Sequence, residues 1–402
     1  MLTFVLIGKN SDQLCQVIVA VVGWGGLGLR TWSLRAPLAP GSGNQLLDSV
    51  FFPGDTESMA NRRIMMNPSA AAELVGLFRY QLSMCRLEQG ELCLVITDTA
   101  FNPVYSDACL GAALSLGASA YKQILPFDHP LPSKGIGAAW QEADLIVYMS
   151  THRLHYHERM GQALENGARV LMAVQPLEVL SRLRAVPEVI ERTKAGARLL
   201  GGANRIRISS QAGTELVMER GDRPALAHYG VADEPGHLDF WGAGMVETAQ
   251  LEGTTEGRLV LDVGDANFSF GRYMASPVEI DFREGRITDI RGGLDAMLLR
   301  DFLASFDDPT AFAAGHTSWG TDKRAQWHAL IKAINPEPGT SGADIEAHYG
   351  NIQIELGSNN DINFKGKIKS NTHLGLCCRN SSLWLDDKRV INAGSFVPSE
   401  LQ

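Results

Sequence analysis

The hydrophobic period of this chain changes once, at Gly201-Gly202, and that change constrains the fold more than any other feature. Before it, residues 92–97, 145–149 and 170–174 are short continuous apolar runs, the pattern of strands buried on both faces. Between them lie helical stretches: 106–116 is rich in Ala and Leu, and 158–166 ends at Gly167, a glycine placed to close a helix just ahead of the next strand. Upstream, Asn67-Pro68-Ser69 reads as a cap for a helix over 70–86. Segments 177–185 and 189–199 are amphipathic and lead into the glycine pair. Strands alternating with helices predict a parallel βαβ sheet.

After Gly202 the period becomes two. Residues 205–208, 216–218, 259–261 and 278–282 alternate or cluster as strands, and Glu284-Gly285 predicts a hairpin into 286–290. One helix is expected over 295–306, closed by Pro309, with later strands at 352–356, 383–385 and 389–391. The expected fold class is therefore α/β, a parallel βαβ domain over 66–202 followed by a β-rich α+β domain over 203–402. Residues 1–65 fit neither half and are read as a loosely ordered leader. They contain a literal G-x-G-x-x-G at residues 23–28, but Pro37, Pro40, Gly41 and Gly43 follow at once, so no crossover helix can present a dinucleotide site there.

Composition removes several partners. With 36 Lys and Arg against 45 Asp and Glu the net charge is -9, which recommends neither nucleic acid nor an anionic membrane. The longest apolar run, residues 14–29, contains four glycines and falls short of the roughly 20 residues that a bilayer core needs. The six cysteines contain no C-x-x-C pair, which suits neither a zinc knuckle nor a disulfide framework and favours a reducing, cytoplasmic setting. A homo-oligomer is the expected assembly.

Three histidines of the second half stand in glycine-punctuated, loop-like contexts: His316 in Gly315-His316-Thr317-Ser318-Trp319-Gly320, His348 in Ala347-His348-Tyr349-Gly350-Asn351, and His373 in Asn371-Thr372-His373-Leu374-Gly375. Neutral imidazole is a common transition-metal ligand, so the three are candidate ligands, although no local metal pattern such as H-E-x-x-H joins them. His152, His155 and His157 follow the strand ending near Met149, where parallel sheets bind ligands. One of them can face a pocket. The turn Ala232-Asp233-Glu234-Pro235-Gly236 offers two adjacent carboxylates, but a solvated turn explains them equally well.

Several of these segments together resemble a known family. Tyr229 to Gly236, Glu256 to Asp262, Gly315 to Gly320 with Ala325-Gln326-Trp327, His348 to Asn351 and Trp384 to Asp387 look like 2,5-dihydroxypyridine 5,6-dioxygenases, and the match runs from about residue 66 to the C-terminus. That family resembles the M29, aminopeptidase T type, metallopeptidases in fold and has 5-nitroanthranilate aminohydrolase as a distant hydrolytic relative. The resemblance implies a β-rich metal-binding domain with a non-haem Fe(II), or alternatively Mn(II) or Zn(II), held by two histidines and one carboxylate. A small hydroxylated aromatic ring would be the substrate, with O2 or water as co-substrate. It assigns the histidines to His316 and His373.

Two departures stand out. The family carboxylate belongs two residues after the second histidine, where this chain has Gly375. His348 is the expected replacement and Glu247 the second candidate; Gly375 itself is expected to serve a backbone with φ > 0. Phe240 falls where the family has its acid/base histidine, so His237 or Asp239 is the expected substitute, with His155 as a further catalytic candidate. Where peptidase relatives carry a Gly-Glu pair this chain has Gly350-Asn351, which speaks against a two-metal aminopeptidase. Ring-cleaving dioxygenation is the first expectation; a metal-dependent aminohydrolase is the alternative.

Overall fold

A computed structural model describes residues 2–4, 14–21, 31–37, 68–127, 136–329, 342–361 and 363–402. The chain divides into two compact units, Met1–Met65 and Met66–Gln402. In the first, strands Leu2–Phe4, Leu14–Val21 and Thr31–Pro37 pair antiparallel with Leu14–Val21 in the middle. The glycine motif at residues 23–28 lies outside the described residues.

The second unit contains the predicted parallel sheet. Its order is Leu238–Phe240, Arg169–Met172, Leu145–Met149, Leu92–Asp98 and Ser119–Leu125, with every neighbouring pair parallel. Cys93 through Ile96 and Leu145 through Met149 are fully buried, as continuous apolar runs require. Burying each large apolar side chain contributes about 1.5–3 kcal/mol relative to exposure. Helix Pro103–Ser115 follows its strand directly, with Pro103 at the first turn and Asn102 Oδ1 accepting from Val104 N at 3.1 Å. The edge strand Ser119–Leu125 escaped the sequence reading because it is half-exposed and carries Lys122 and Gln123. The opposite edge, Leu238–Phe240, arrives from beyond Gly202 and brings its segment against the first half.

Two antiparallel sheets of seven and eight strands make up the rest. They share one core: Ile206, Leu216, Leu259 and Ile280 of the larger sheet pack with Val246, Trp319, Ile354 and Leu376 of the smaller. The predicted hairpin at Glu284-Gly285 is present, with φ of 50° and 74°. In the seven-stranded sheet the order Leu226–His228, Met245–Ala249, Ala314–Gly320, Ile352–Gly357, His373–Cys378, Ala266–Asn267, Arg272–Tyr273 places the candidate ligands on adjacent central strands.

His316 therefore sits inside a strand, not in the loop that its flanking glycines suggested. All seven residues of Ala314–Gly320 are buried, so no alternation of polar and apolar residues marks it. Among the described residues no helix is long and apolar enough to cross a membrane.

Candidate metal centre

Alternation along the strands of the seven-stranded sheet divides its residues between two faces. Ile352, Ile354, Leu356, Leu374 and Leu376 point into the shared core, which leaves Glu355, His373 and Gly375 on the opposite face. His316 is registered against Glu355, and Glu355 against Gly375. A bulge between Ala314 and His316 turns the imidazole to that same face. The result is a cluster of His316, Glu355 and His373 whose donor atoms all lie within 4.8 Å of one another.

The chemistry of this trio fits a metal site. Both ring nitrogens of His316 and Oε2 of Glu355 are buried without a hydrogen-bond partner, a costly condition that a cation would relieve. Burial holds His316 well below the ordinary histidine range, so it stays an uncharged donor. His373 is also held low by burial and then by the charge of Arg153; its Nδ1 faces Ser358 O at 3.4 Å, which leaves Nε2, 3.9 Å from Glu355 Oε2, to the cluster. The His316 ring stacks on Phe364 at 4.5 Å and on His373 at 5.1 Å between centroids, which fixes its plane. Burial, and then the charges of Glu346 and Glu247, push the Glu355 carboxyl well above its usual range. A divalent cation would supply the positive charge that this group of acids lacks.

Gly375 has a steric reason. Its φ is not among the positive ones. A Cβ built there would lie 1.5 Å from Cε1 of Phe268, whose ring fills the space that any larger side chain would need. The carboxylate is found instead on the facing strand, at the position paired with Gly375.

The cluster opens on a cavity of about 300 Å³. One wall comes from the parallel sheet: residues 150–153, His155 and Tyr156, after strand Leu145–Met149, together with Met172, Phe240 and Trp241. The other comes from the antiparallel sheet and its loops, including His228, Glu247, Phe268, Glu346 and Asp361. Burial and then the Glu247 charge raise Glu346 to about 7 and Asp361 to about 6. His228 is the exception among these buried groups. Burial alone would discharge it, but Glu247 and Asp239 outweigh that effect and raise it to about 10. Its Nε2 lies 2.7 Å from Glu247 Oε1 and its Nδ1 3.5 Å from Asp239 Oδ1; Glu247 Oε2 in turn lies 3.8 Å from His316 Nδ1.

The remaining candidates are distributed as follows. His155 lines the cavity, shares a 2.8 Å hydrogen bond with the Tyr148 hydroxyl, and is held uncharged by burial, near 3. His152 faces Pro126 O, and His157 caps helix Glu158–Glu165. Asp239 is fully buried as a backbone anchor, accepting from Tyr229 N at 2.9 Å and Phe240 N at 2.7 Å. His237 lies beside Tyr229 and Asp233. Neither Asp239 nor His237 lines the cavity; His228, which no sequence signal singled out, does, with its ring 5.0 Å from Phe240. His348 is not brought to the cluster: its Nδ1 meets Ala325 O at 3.1 Å and its ring packs on Trp327 at 5.2 Å. Asn351 accepts from Gly320 N at 2.6 Å, a structural contact. Glu355 carries no local signal of its role: every residue of its strand is buried, and only the facing strands bring the two histidines to it.

Fold and cluster together define the class of protein: a mixed α/β chain with a buried two-histidine, one-carboxylate centre at the face of an antiparallel sheet. The chain belongs to the 2,5-dihydroxypyridine 5,6-dioxygenase family, whose model matches residues 73–398. It is 33% identical over 350 residues to the 2,5-dihydroxypyridine 5,6-dioxygenase of Pseudomonas putida KT2440, covering 83% of this chain and 98% of that protein. The solved structure of the Pseudomonas putida KT2440 dioxygenase superposes with a TM-score of 0.77, over 83% of this chain and 99% of that one, at 33% identity. AmpT from Thermus thermophilus shares the fold at a TM-score of 0.54 and 12% identity, over 81% of this chain and 99% of that one. That last likeness is one of fold alone and lends nothing to the aminopeptidase alternative.

Proposed function

We propose that this chain is a ring-cleaving dioxygenase acting with O2 on a small hydroxylated N-heteroaromatic ring of the 2,5-dihydroxypyridine type. Its centre is a mononuclear metal, Fe(II) by our assignment, held by His316, Glu355 and His373. The observation that carries the reading is the convergence of the three side chains within 4.8 Å, with both ring nitrogens of His316 and Oε2 of Glu355 buried and unpartnered. Family membership supports the reaction class. Two neutral imidazoles and one carboxylate leave open positions on such a metal, which supplies the redox and Lewis-acid chemistry that side chains lack.

The chain's own residues do the rest. Phe240, Phe268 and Trp241 offer apolar surface to a flat ring. Glu346, poised near 7, can hold or release a proton at neutral pH beside the ring. His228, kept charged between Asp239 and Glu247, offsets the acids around it. We read residues 1–65 as lying outside the catalytic body, since the family match begins at residue 73 and the compact unit at Met66.

The test is to load the protein with Fe(II) without air, add 2,5-dihydroxypyridine and follow its ultraviolet absorption. Loss of absorption only on admitting air, with O2 consumed in step, is the expected result. Loss without air, accompanied by ammonia, would establish the hydrolytic chemistry instead.

A further inference from the structure

Charge is segregated between the depth of the cavity and its mouth. Inside lie Glu247, Glu346, Glu355 and Asp361, with His228 as the buried cation among them. At the mouth, the segment after strand Leu145–Met149 presents Arg153. Arg153 lines both the inner cavity and a wider outer one of about 730 Å³, so it stands where the two join.

Its guanidinium is exposed and makes no ion pair or hydrogen bond among the described residues. The backbone that presents it is nevertheless held firmly. Asp98 accepts from Ser150 Oγ at 2.8 Å and from Thr151 N and Oγ1 at 2.6 and 2.8 Å, and His152 is tied to Pro126 O at 2.9 Å. Arg153 lines the inner cavity together with His155 and His373. Of the acids that share the outer cavity, Glu158 accepts a hydrogen bond from Gln162 at 3.2 Å, and Glu165 belongs to the same lining as Lys369.

We propose that the substrate carries a carboxylate, received by Arg153, on the ring edge opposite the one turned to the metal. The substrate class is then a hydroxylated aromatic or N-heteroaromatic carboxylic acid. This inference rests on the reading of the site given above. A carboxylate on the edge turned to the mouth meets an unpaired guanidinium whose planar fork fits it.

Catechol and 3,4-dihydroxybenzoate form a matched pair of probes, because they differ only by a carboxylate opposite the chelating oxygens. Their binding to the full chain loaded with Zn(II) can be titrated without air through tryptophan fluorescence, since Trp241 lines the cavity. Wild type should bind the acid about tenfold more tightly than catechol. Arg153→Met should erase that preference and leave catechol binding unchanged, and Arg153→Lys should keep part of it. Equal binding of the two probes by wild type, or a preference that survives Arg153→Met, overturns the proposal. O2 uptake with 2,5-dihydroxypyridine separates the two readings: uptake without acid preference leaves the dioxygenase standing and removes Arg153, and preference without uptake does the reverse.

Discussion

The two walls of the cavity are built on opposite plans. The antiparallel wall places His316, Glu355 and His373 on three adjacent central strands, where register fixes their spacing. The parallel wall places Arg153, His155 and Tyr156 beyond the end of a strand, where a few side-chain bonds to Asp98 hold them. Strand-borne groups cannot move without breaking a ladder, and loop-borne groups can be exchanged without touching the core. On the proposed reading, the metal ligands lie where geometry must hold to a fraction of an ångström and the recognition groups where substrates differ.

The largest expected effect falls on the strand-borne wall. Glu355→Ala removes the carboxylate and should lower metal affinity by about 100-fold or more, read as metal stoichiometry after dialysis. Because the change also removes a buried acid without a partner, the melting temperature of the apoprotein should not fall. Full metal occupancy in the variant would break the contrast between the walls and reopen the place for Glu247.

Next comes Gly375→Asp, which restores the residue the family pattern calls for. Restoration should fail. The new side chain would collide with the Phe268 ring, and overpacking of this kind costs about 1–3 kcal/mol, measurable as a lowered denaturation midpoint. Gly375→Asp combined with Phe268→Ala should recover most of that loss. If the single variant is as stable as wild type, Phe268 is not what keeps residue 375 small.

These two sites show what the sequence made legible. Periodicity was enough for the parallel sheet and the hairpin at Glu284-Gly285, because continuous apolar runs and a turn with positive φ are local signals. It missed that Leu238–Phe240 completes the parallel sheet, since that pairing joins segments some 70 residues apart. At the site, His316 and His373 are visible as residues, but the carboxylate does not lie along the chain from His373. Glu355 is a neighbour across the ladder, not along it, and only register reveals it. His228 escaped for a similar reason: its meaning comes from Asp239 and Glu247, which converge on it from other strands.

A smaller effect is expected on the loop-borne wall. Asp98→Asn keeps the shape of the anchor but weakens acceptance from Ser150 and Thr151, so KM should rise several-fold, about one charged hydrogen bond's worth, with metal stoichiometry unchanged. The pH dependence has a definite sign. Burial would raise the Asp98 carboxyl, but the hydrogen bonds from Thr151, Ser150 and Ala100 outweigh it and hold it below the usual range. Its contribution to stability is therefore present above the unfolded-state value and is lost as pH falls through the lower folded one. Wild type should lose its stability advantage over Asp98→Asn in acid; a gap that stays constant down to that range would show that the carboxylate charge does not hold the loop.

The smallest effect belongs to His348, the residue that sequence reasoning favoured as third ligand. Its Nδ1 is engaged by Ala325 O and its ring rests on Trp327, so the side chain serves the loop that contains it. His348→Ala should cost about 1 kcal/mol of stability from the lost bond and packing, and should leave metal stoichiometry at the wild-type value. The measurement discriminates sharply because the competing arrangement, a three-histidine site, demands the opposite: removal of one of three ligands would empty the site as fully as His316→Ala does. Loss of metal in His348→Ala at unchanged stability would move the centre away from the Glu355 strand and undo the division of labour between the two walls.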